Sequence, residues 1–331
     1  MGTIKWALIG AGDVAERRVA GALQQAQGST LLGAYRRSQE KLKEFTDRFS
    51  VPKAYGSYDE ALEDTEVDAV YIATPVAGHA EQTIRAARSG KHVLCEKPMA
   101  LTGVQAREMV NACREHGVQL GIAYYRRFYP KMQQIRRIIA EGGIGVPVYA
   151  RAQFSGKTDY AETDRAWLLR PEISGGGPLM DVGSHVIDQL IYCLGQPVQV
   201  AGMTGNVWQS LPVEDLASLL IRFESGCQAS VHAGFSAAVG NQLEVFGSDG
   251  KITMRSIEDS FFEWTDGSGQ QHTFDLPKHM NMNVPMIEQF IRSIRGEETY
   301  LCPGEEGILT SLVMEAGYRS AFEGRHIFVE K

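Results

Sequence analysis

The sequence predicts an α/β chain in two parts: a doubly wound parallel sheet with helices on both faces over 1–123, then an α+β domain with an open antiparallel sheet over 124–331. Three observations predict it. Over the first part, short wholly apolar runs alternate with helix-length amphipathic segments, the pattern of a parallel sheet covered on both faces. From about Val146 onward the runs alternate in polarity, are strand-length and are separated by turn residues. Finally, 331 residues is long for one hydrophobic core and suits two domains.

Taken in order, 4–9 is the first strand and 14–27 an amphipathic helix. A second strand over 30–35 leads to a helix over 39–49, with its apolar stripe at Leu42, Phe45 and Phe49. Strands over 69–73, 92–95 and 119–123 alternate with helices over 78–89 and 103–116. In the second part, strands are expected over 146–154, 199–207, 217–223, 227–235, 242–247 and 250–254, with hairpin turns at Ser225-Gly226 and Ser248-Asp249-Gly250. Helices over 130–141, 178–194, 284–296 and 305–323 would cover one face of that sheet.

The turn after the first strand carries chemistry. Gly10-Ala11-Gly12-Asp13-Val14-Ala15 is a G-x-G-x-x-A pattern between a buried strand and a helix, the start of a Rossmann dinucleotide-binding unit. Gly10 allows the tight turn, Gly12 lets the backbone approach a pyrophosphate, and small Ala15 lets the helix pack close. The helix's first N–H groups then face the phosphates. At the end of the second strand, where NAD enzymes carry an acid for the adenosine ribose, the chain reads Tyr35-Arg36-Arg37-Ser38. Two guanidiniums and a hydroxyl suit a 2′-phosphate, so NADP(H) is favoured and NAD(H) remains possible. The alternative is a solvated basic start to the next helix.

Composition excludes several classes. With 44% hydrophobic and 22% charged residues the chain is neither disordered nor a membrane protein. A net charge of −7 argues against a nucleic-acid surface. The five cysteines are odd in number and scattered, with neither C-x-x-C pair nor zinc spacing, so no metal site is expected and the thiols are taken as reduced. The N-terminus enters a strand directly, without a signal-peptide pattern, and a cytoplasmic location is expected.

Two further places invite chemistry. Glu96-Lys97-Pro98 follows the strand over 92–95 and so lies at the carboxyl edge of the sheet, where open α/β sheets bind ligands. A lysine there can reach a substrate oxygen beside a nicotinamide. Farther on, Gly175-Gly176-Gly177-Pro178 leads into a helix on which Asp181, His185 and Asp188 share a face. An imidazole beside carboxylates suits proton exchange near neutral pH. Equally, Asp181 could orient the helix start and His185 be a satisfied buried histidine.

These motifs together, with Ala73-Thr74-Pro75 and His79 four residues beyond Pro75 and with Gly90-Lys91-His92-Val93-Leu94-Cys95 before Glu96, resemble the glucose-fructose oxidoreductase and inositol dehydrogenase family along essentially the whole chain. The resemblance implies that Lys97, Asp181 and His185 surround the substrate hydroxyl or carbonyl, with His185 and Lys97 handling the proton during hydride transfer. It implies that Thr74, Pro75, His79 and Glu96 line the cofactor, that Tyr124, Tyr125, Arg126 and Arg127 enter the second domain with Tyr124 and Arg126 contacting substrate, and that Trp167 sits over the substrate. Many relatives have Arg directly after that Trp, whereas Leu168 stands here and the next Arg is Arg170. The loop over 156–170 is expected to shape the pocket. The expected protein is an NADP(H)-dependent oxidoreductase of a sugar, polyol or small carbonyl compound, a homodimer or homotetramer through the exposed face of the second sheet. A redox-neutral, NAD-retaining glycosidase and a non-catalytic NADP-binding sensor are the alternatives.

Overall fold

The computed structural model describes residues 2–157, 160, 163, 165–238 and 240–330. Its contacts group the chain into two compact units, one of residues 1–100, 104–128 and 279–308, the other of 101–103, 129–278 and 309–331. The sequence had been divided into consecutive blocks at 123/124. The first unit instead extends to 128 and recovers a late segment of the chain.

That unit is built from β1 (Ile4–Ile9), α1 (Ala20–Gln25), β2 (Ser29–Tyr35), α2 (Gln39–Phe49), β3 (Lys53–Tyr55), α3 (Tyr58–Glu63), β4 (Ala69–Ile72), α4 (His79–Arg88), β5 (His92–Cys95), α5 (Gly103–Glu115) and β6 (Leu120–Ile122). The six strands pair in parallel in the order β3-β2-β1-β4-β5-β6. Trp6, Ala7, Leu8 and Ile9 of β1 and every residue of β4 are fully buried, because these central strands are covered on both faces. The order reverses between β1 and β4, and their carboxyl ends form the switch point at which such sheets bind ligands. The expected helix over 14–27 is interrupted: a five-residue π turn, Ala15–Val19, precedes α1.

The second unit holds α6 (Pro130–Ala140), β7 (Pro147–Ser155), α7 (Pro171–Ser174), α8 (Ser184–Leu194), β8 (Pro197–Gly205), β9 (Leu216–Phe223), β10 (Gln228–Gly234), β11 (Gly240–Gly247), β12 (Lys251–Met254), β13 (Phe261–Thr265) and β14 (Gln271–Asp275). After it come α9 (Val284–Ile294), α10 (Gly304–Glu323) and β15 (Ile327–Phe328), which closes the second sheet. Nine strands lie in the order β14-β13-β12-β11-β7-β10-β9-β8-β15. The sheet is antiparallel with one exception: β7 and β10 run parallel, since the chain between them passes through α7, α8 and the β8–β9 pair before returning in the same direction. On β9, Ala217, Leu219, Ile221 and Phe223 are buried while Leu220 and Arg222 face out, the alternation of a sheet covered on one side only.

Helix α9 was expected on this second sheet and belongs to the first unit. Its Phe290 ring packs 5.9 Å from Trp6 of β1 and 5.2 Å from Tyr300, and the Asn281 amide just before it donates to the Arg18 carbonyl at 2.8 Å. Among the described residues no helix is long and apolar enough to cross a membrane.

Candidate active site

At the switch point of the first unit the glycine turn is fixed from below. The Gly10 and Ala11 N–H groups both donate to the Tyr35 carbonyl at the end of β2, at 2.9 and 3.2 Å. Gly10 has φ +95°, and a Cβ there would lie 2.7 Å from the main chain of Ala73 and Thr74 at the end of β4. A Cβ on Gly12 would meet nothing within 4 Å. So Gly10 is required by the fold, whereas the space beside Gly12, at the start of a helical segment, is open to a phosphate group. The residues present fit a dinucleotide. Asp13 pairs with Arg17 at 2.6 Å, Val14 is half-buried, and Ala15 is fully buried under the turn.

Arg36 folds back over this turn, its Nη1 donating to the Ala11 carbonyl at 2.8 Å and to Glu16 at 3.2 Å. Glu16 also accepts from Arg48 at 3.3 Å. Arg37 is exposed, and the Ser38 hydroxyl caps α2 by accepting the Lys41 N–H at 3.4 Å. The basic cluster therefore sits where the second strand ends against the glycine turn, and Glu16 fixes the direction of one guanidinium.

Thr74 and Pro75 follow β4, and the Thr74 hydroxyl donates to Gln82 at 2.6 Å. His79 was expected to line the cofactor. Its ring is 1% exposed, with Nδ1 3.0 Å from the Pro98 carbonyl and Nε2 2.8 Å from that of Thr74. Burial pushes this imidazole below its usual pKa. With both nitrogens near main-chain oxygens, the His79 ring lies between the loops after β4 and β5. Glu96 is buried, accepting the Tyr71 hydroxyl at 2.9 Å and the Lys97 N–H at 3.2 Å. Arg18 stands 4.8 Å over the Tyr125 ring; burial opposes its charge, but Tyr125 and Glu96 hold its pKa above the ordinary value. Lys97, half-buried, thus leaves the carboxyl edge of β5 on a backbone pinned by its neighbour's carboxylate.

Tyr124 and Arg126 were expected to touch substrate. Tyr124 is fully buried and Arg126 is 4% exposed, its guanidinium 5.4 Å over the Tyr125 ring. Arg127 bonds the Leu301 carbonyl at 2.9 Å. In the first unit Tyr124, Arg126 and Arg127 are all buried.

In the second unit, Asp181 stands in a π turn, Leu179–Gly183, that runs directly into α8 with His185 in its first turn. One continuous α-helix was expected there. Single π turns within helices often mark functional sites. Asp181 and His185 are both nearly buried, 9% and 7% exposed. Asp181 accepts a hydrogen bond from Arg165 at 3.1 Å, and Arg165 lies 5.1 Å over the Tyr160 ring, itself edge-on to Phe235. The His185 ring is 6.3 Å from Phe154 of β7. Trp167 packs on the apolar cluster of Tyr160, Leu168 and Phe235. Leu168 is part of that cluster, and Arg170 pairs with Glu172 at 2.8 Å. Of the loop expected to shape the pocket, Thr158, Asp159, Ala161, Glu162 and Asp164 lie outside the described residues.

Sequence reasoning missed two acidic residues on adjacent positions. The Glu214 carboxylate accepts the N–H groups of Gly177 and Leu179 at 2.9 and 3.2 Å and the Tyr318 hydroxyl at 2.8 Å. Asp215 accepts the N–H groups of Val207, Trp208 and Gln209 and the Ser236 hydroxyl. Burial would raise the Asp215 carboxyl, but Ser236 and the three main-chain donors hold it at about 2. Only the adjacency of two acids before an alternating strand hinted at them. Among the described residues no group of three or more His, Cys, Asp or Glu side chains could hold a metal ion.

Residues 4–124 match an oxidoreductase family with an NAD-binding Rossmann fold, and residues 132–253 match the GFO/IDH/MocA C-terminal domain. A 1,5-anhydro-D-fructose reductase of Ensifer adhaerens is 35% identical over 98% of both chains. A myo-inositol 2-dehydrogenase of Thermotoga maritima is 26% identical over 88% of this chain and 89% of its own. The crystal structure of an aldose-aldose oxidoreductase from Caulobacter crescentus, complexed with glycerol, superposes with a TM-score of 0.90 at 27% identity, covering 98% of this chain and 99% of that one.

Proposed function

We infer that this chain, which belongs to the GFO/IDH/MocA family of oxidoreductases, is an NADP(H)-dependent dehydrogenase or reductase of a sugar, polyol or related small carbonyl compound. As a member of that family it is an NAD(P)-binding oxidoreductase of sugars or polyols. The observation that carries the finer reading is the glycine turn itself: Gly10 pressed on the end of β4, open space at Gly12, and Arg36 over the turn where NAD enzymes place an acid.

Main-chain N–H groups of Asp13, Val14 and Ala15, which open the helical segment, would hold the pyrophosphate, Arg36, Arg37 and Ser38 the 2′-phosphate, and Thr74, Pro75 and Glu96 the nicotinamide side. When bound, the cofactor supplies or takes up the hydride. His185 exchanges the proton of the substrate hydroxyl. The Lys97 ammonium stabilises negative charge on that oxygen, and Asp181 orients imidazole and substrate. Trp167 closes over the sugar ring. Arg165, paired with Asp181, holds that carboxylate in place.

The scattered cysteines support a cytoplasmic setting. Tyr149, Met203 and Leu220, exposed on one face of the second sheet, support a homodimer or homotetramer through it.

The test is a panel of aldoses, ketoses and polyols with each cofactor in its oxidised and reduced form, followed at the nicotinamide absorbance. Turnover of at least one compound, with NADPH consumed or formed in step with product, is expected. Tight NADPH binding without turnover of any compound would replace this reading by a cofactor-binding sensor.

A further inference from the structure

The glycine run before Asp181 has a structural cause distinct from any ligand. A Cβ on Gly176 would fall inside the van der Waals radius of the Tyr318 hydroxyl, and one on Gly177 would overlap the Glu214 main-chain oxygen. Gly176 also has φ +155°, open to glycine alone. The loop therefore lies directly on Glu214, two residues before β9, and on Tyr318 of α10.

The Glu214 carboxylate serves as acceptor for the N–H groups of Gly177 and Leu179, at 2.9 and 3.2 Å, where the π turn begins. No side chain of the turn itself caps it. The Tyr318 hydroxyl donates to Glu214 Oε1 at 2.8 Å and fixes the carboxylate from behind. A carboxylate at this end of a helical segment is favoured by the exposed N–H dipoles, and charge-assisted bonds of this kind are directional. Burial raises the Glu214 carboxyl above its ordinary pKa, and Tyr318 is raised well above its own, also by burial.

We propose that Glu214, braced by Tyr318, is a positioning residue for the reaction: it sets the height and rotation of the turn that carries Asp181 and launches the helix of His185. This rests on the reading that Asp181 and His185 act on the substrate. Glu214, 37 positions beyond Gly177, and Tyr318, 104 beyond Glu214, rather than the loop's own sequence, then decide where the proton-exchanging group stands. A displacement of about 1 Å there costs on the order of a hundredfold in rate.

Glu214→Gln keeps the shape but turns an NH₂ toward main-chain donors, and Tyr318→Phe removes only the brace. Each variant is measured as the full chain with NADPH, for kcat and KM on the best substrate of the panel. The ring resonance of His185 in protein labelled at histidine Cε1, assigned by its loss in His185→Ala, is the second readout. For Glu214→Gln we expect kcat per folded molecule to fall about tenfold or more, KM to change less than about threefold, and the His185 resonance to move. Tyr318→Phe should shift both in the same direction by less, and it decides the matter should Glu214→Gln fail to fold. An unmoved His185 resonance with unchanged kcat overturns the proposal and leaves Glu214 a fold-stabilising cap. If the unmodified protein turns over nothing in the panel, the functional reading fails, and the resonance alone decides positioning: movement supports it, none overturns it.

Discussion

Replacing Arg36 by Asp separates the two nicotinamide cofactors most sharply. Its guanidinium, about a quarter exposed, is anchored through Nη1 to the Ala11 carbonyl and Glu16, so its direction is set before any ligand arrives. A charge-assisted hydrogen bond to a phosphate is worth roughly 1.5 to 3 kcal/mol, which is about 10- to 150-fold in Kd. Arg36→Asp removes that bond and places a carboxylate against a dianion, so NADPH affinity should fall at least tenfold. NADH, with a 2′-hydroxyl that can donate to the new acid, should change less than about threefold. Titration of nicotinamide fluorescence at fixed ionic strength gives both constants, and Arg36→Ala separates lost positive from added negative charge. Two results would refute the reasoning. One is an unmodified protein that binds NADH as tightly as NADPH in that titration; the other is an Arg36→Asp variant that weakens both equally, in which case Arg36 holds the turn and does not read the phosphate.

Gly10→Ala should cost about 2 to 4 kcal/mol of stability, from the positive φ and the 2.7 Å approach to Ala73, and should weaken both cofactors alike; urea unfolding and the same titration check it. Asp215→Asn should lower the melting temperature at neutral pH by unpairing main-chain donors. Because the folded carboxyl titrates at about 2 against an ordinary 3.8, the wild type's advantage should be complete above the ordinary value and vanish as pH falls through the folded one; a difference independent of pH would contradict this assignment. Light scattering at micromolar concentration should give a multiple of the 36.4 kDa chain, and Leu220→Glu on the exposed sheet face should lower it; a single-chain mass for the unmodified protein sinks the oligomer proposal.

Much of the first unit was legible because central parallel strands must be apolar throughout, as β1 and β4 are. β3 escaped because Lys53–Tyr55 is three residues long with a lysine at its start, too short for any periodicity. β13 and β14, near one edge of the second sheet, mix aromatic with polar residues and carry only half a face of apolar signal. α9 has the amphipathic pattern of a packing helix, but pattern alone does not say which sheet it packs on; Phe290 chose Trp6. The glycines, Lys97, Asp181 and His185 were readable as local motifs. The surroundings of His79 were not readable, because the motif gives no sign of two carbonyls 5 and 19 residues away meeting one ring. Glu214 was marked only by its adjacency to Asp215 and Tyr318 by nothing, since their part is defined by the loop the fold lays on them.

Whether His185 moves the substrate proton is decided by the turnover number of His185→Ala, measured per folded molecule. A fall of roughly 10² to 10⁴ is expected, the range for a positioned acid or base, with NADPH affinity within about twofold of the unmodified protein. A folded His185→Ala variant that turns over substrate at the unmodified rate would contradict it and leave Lys97 as the group to examine.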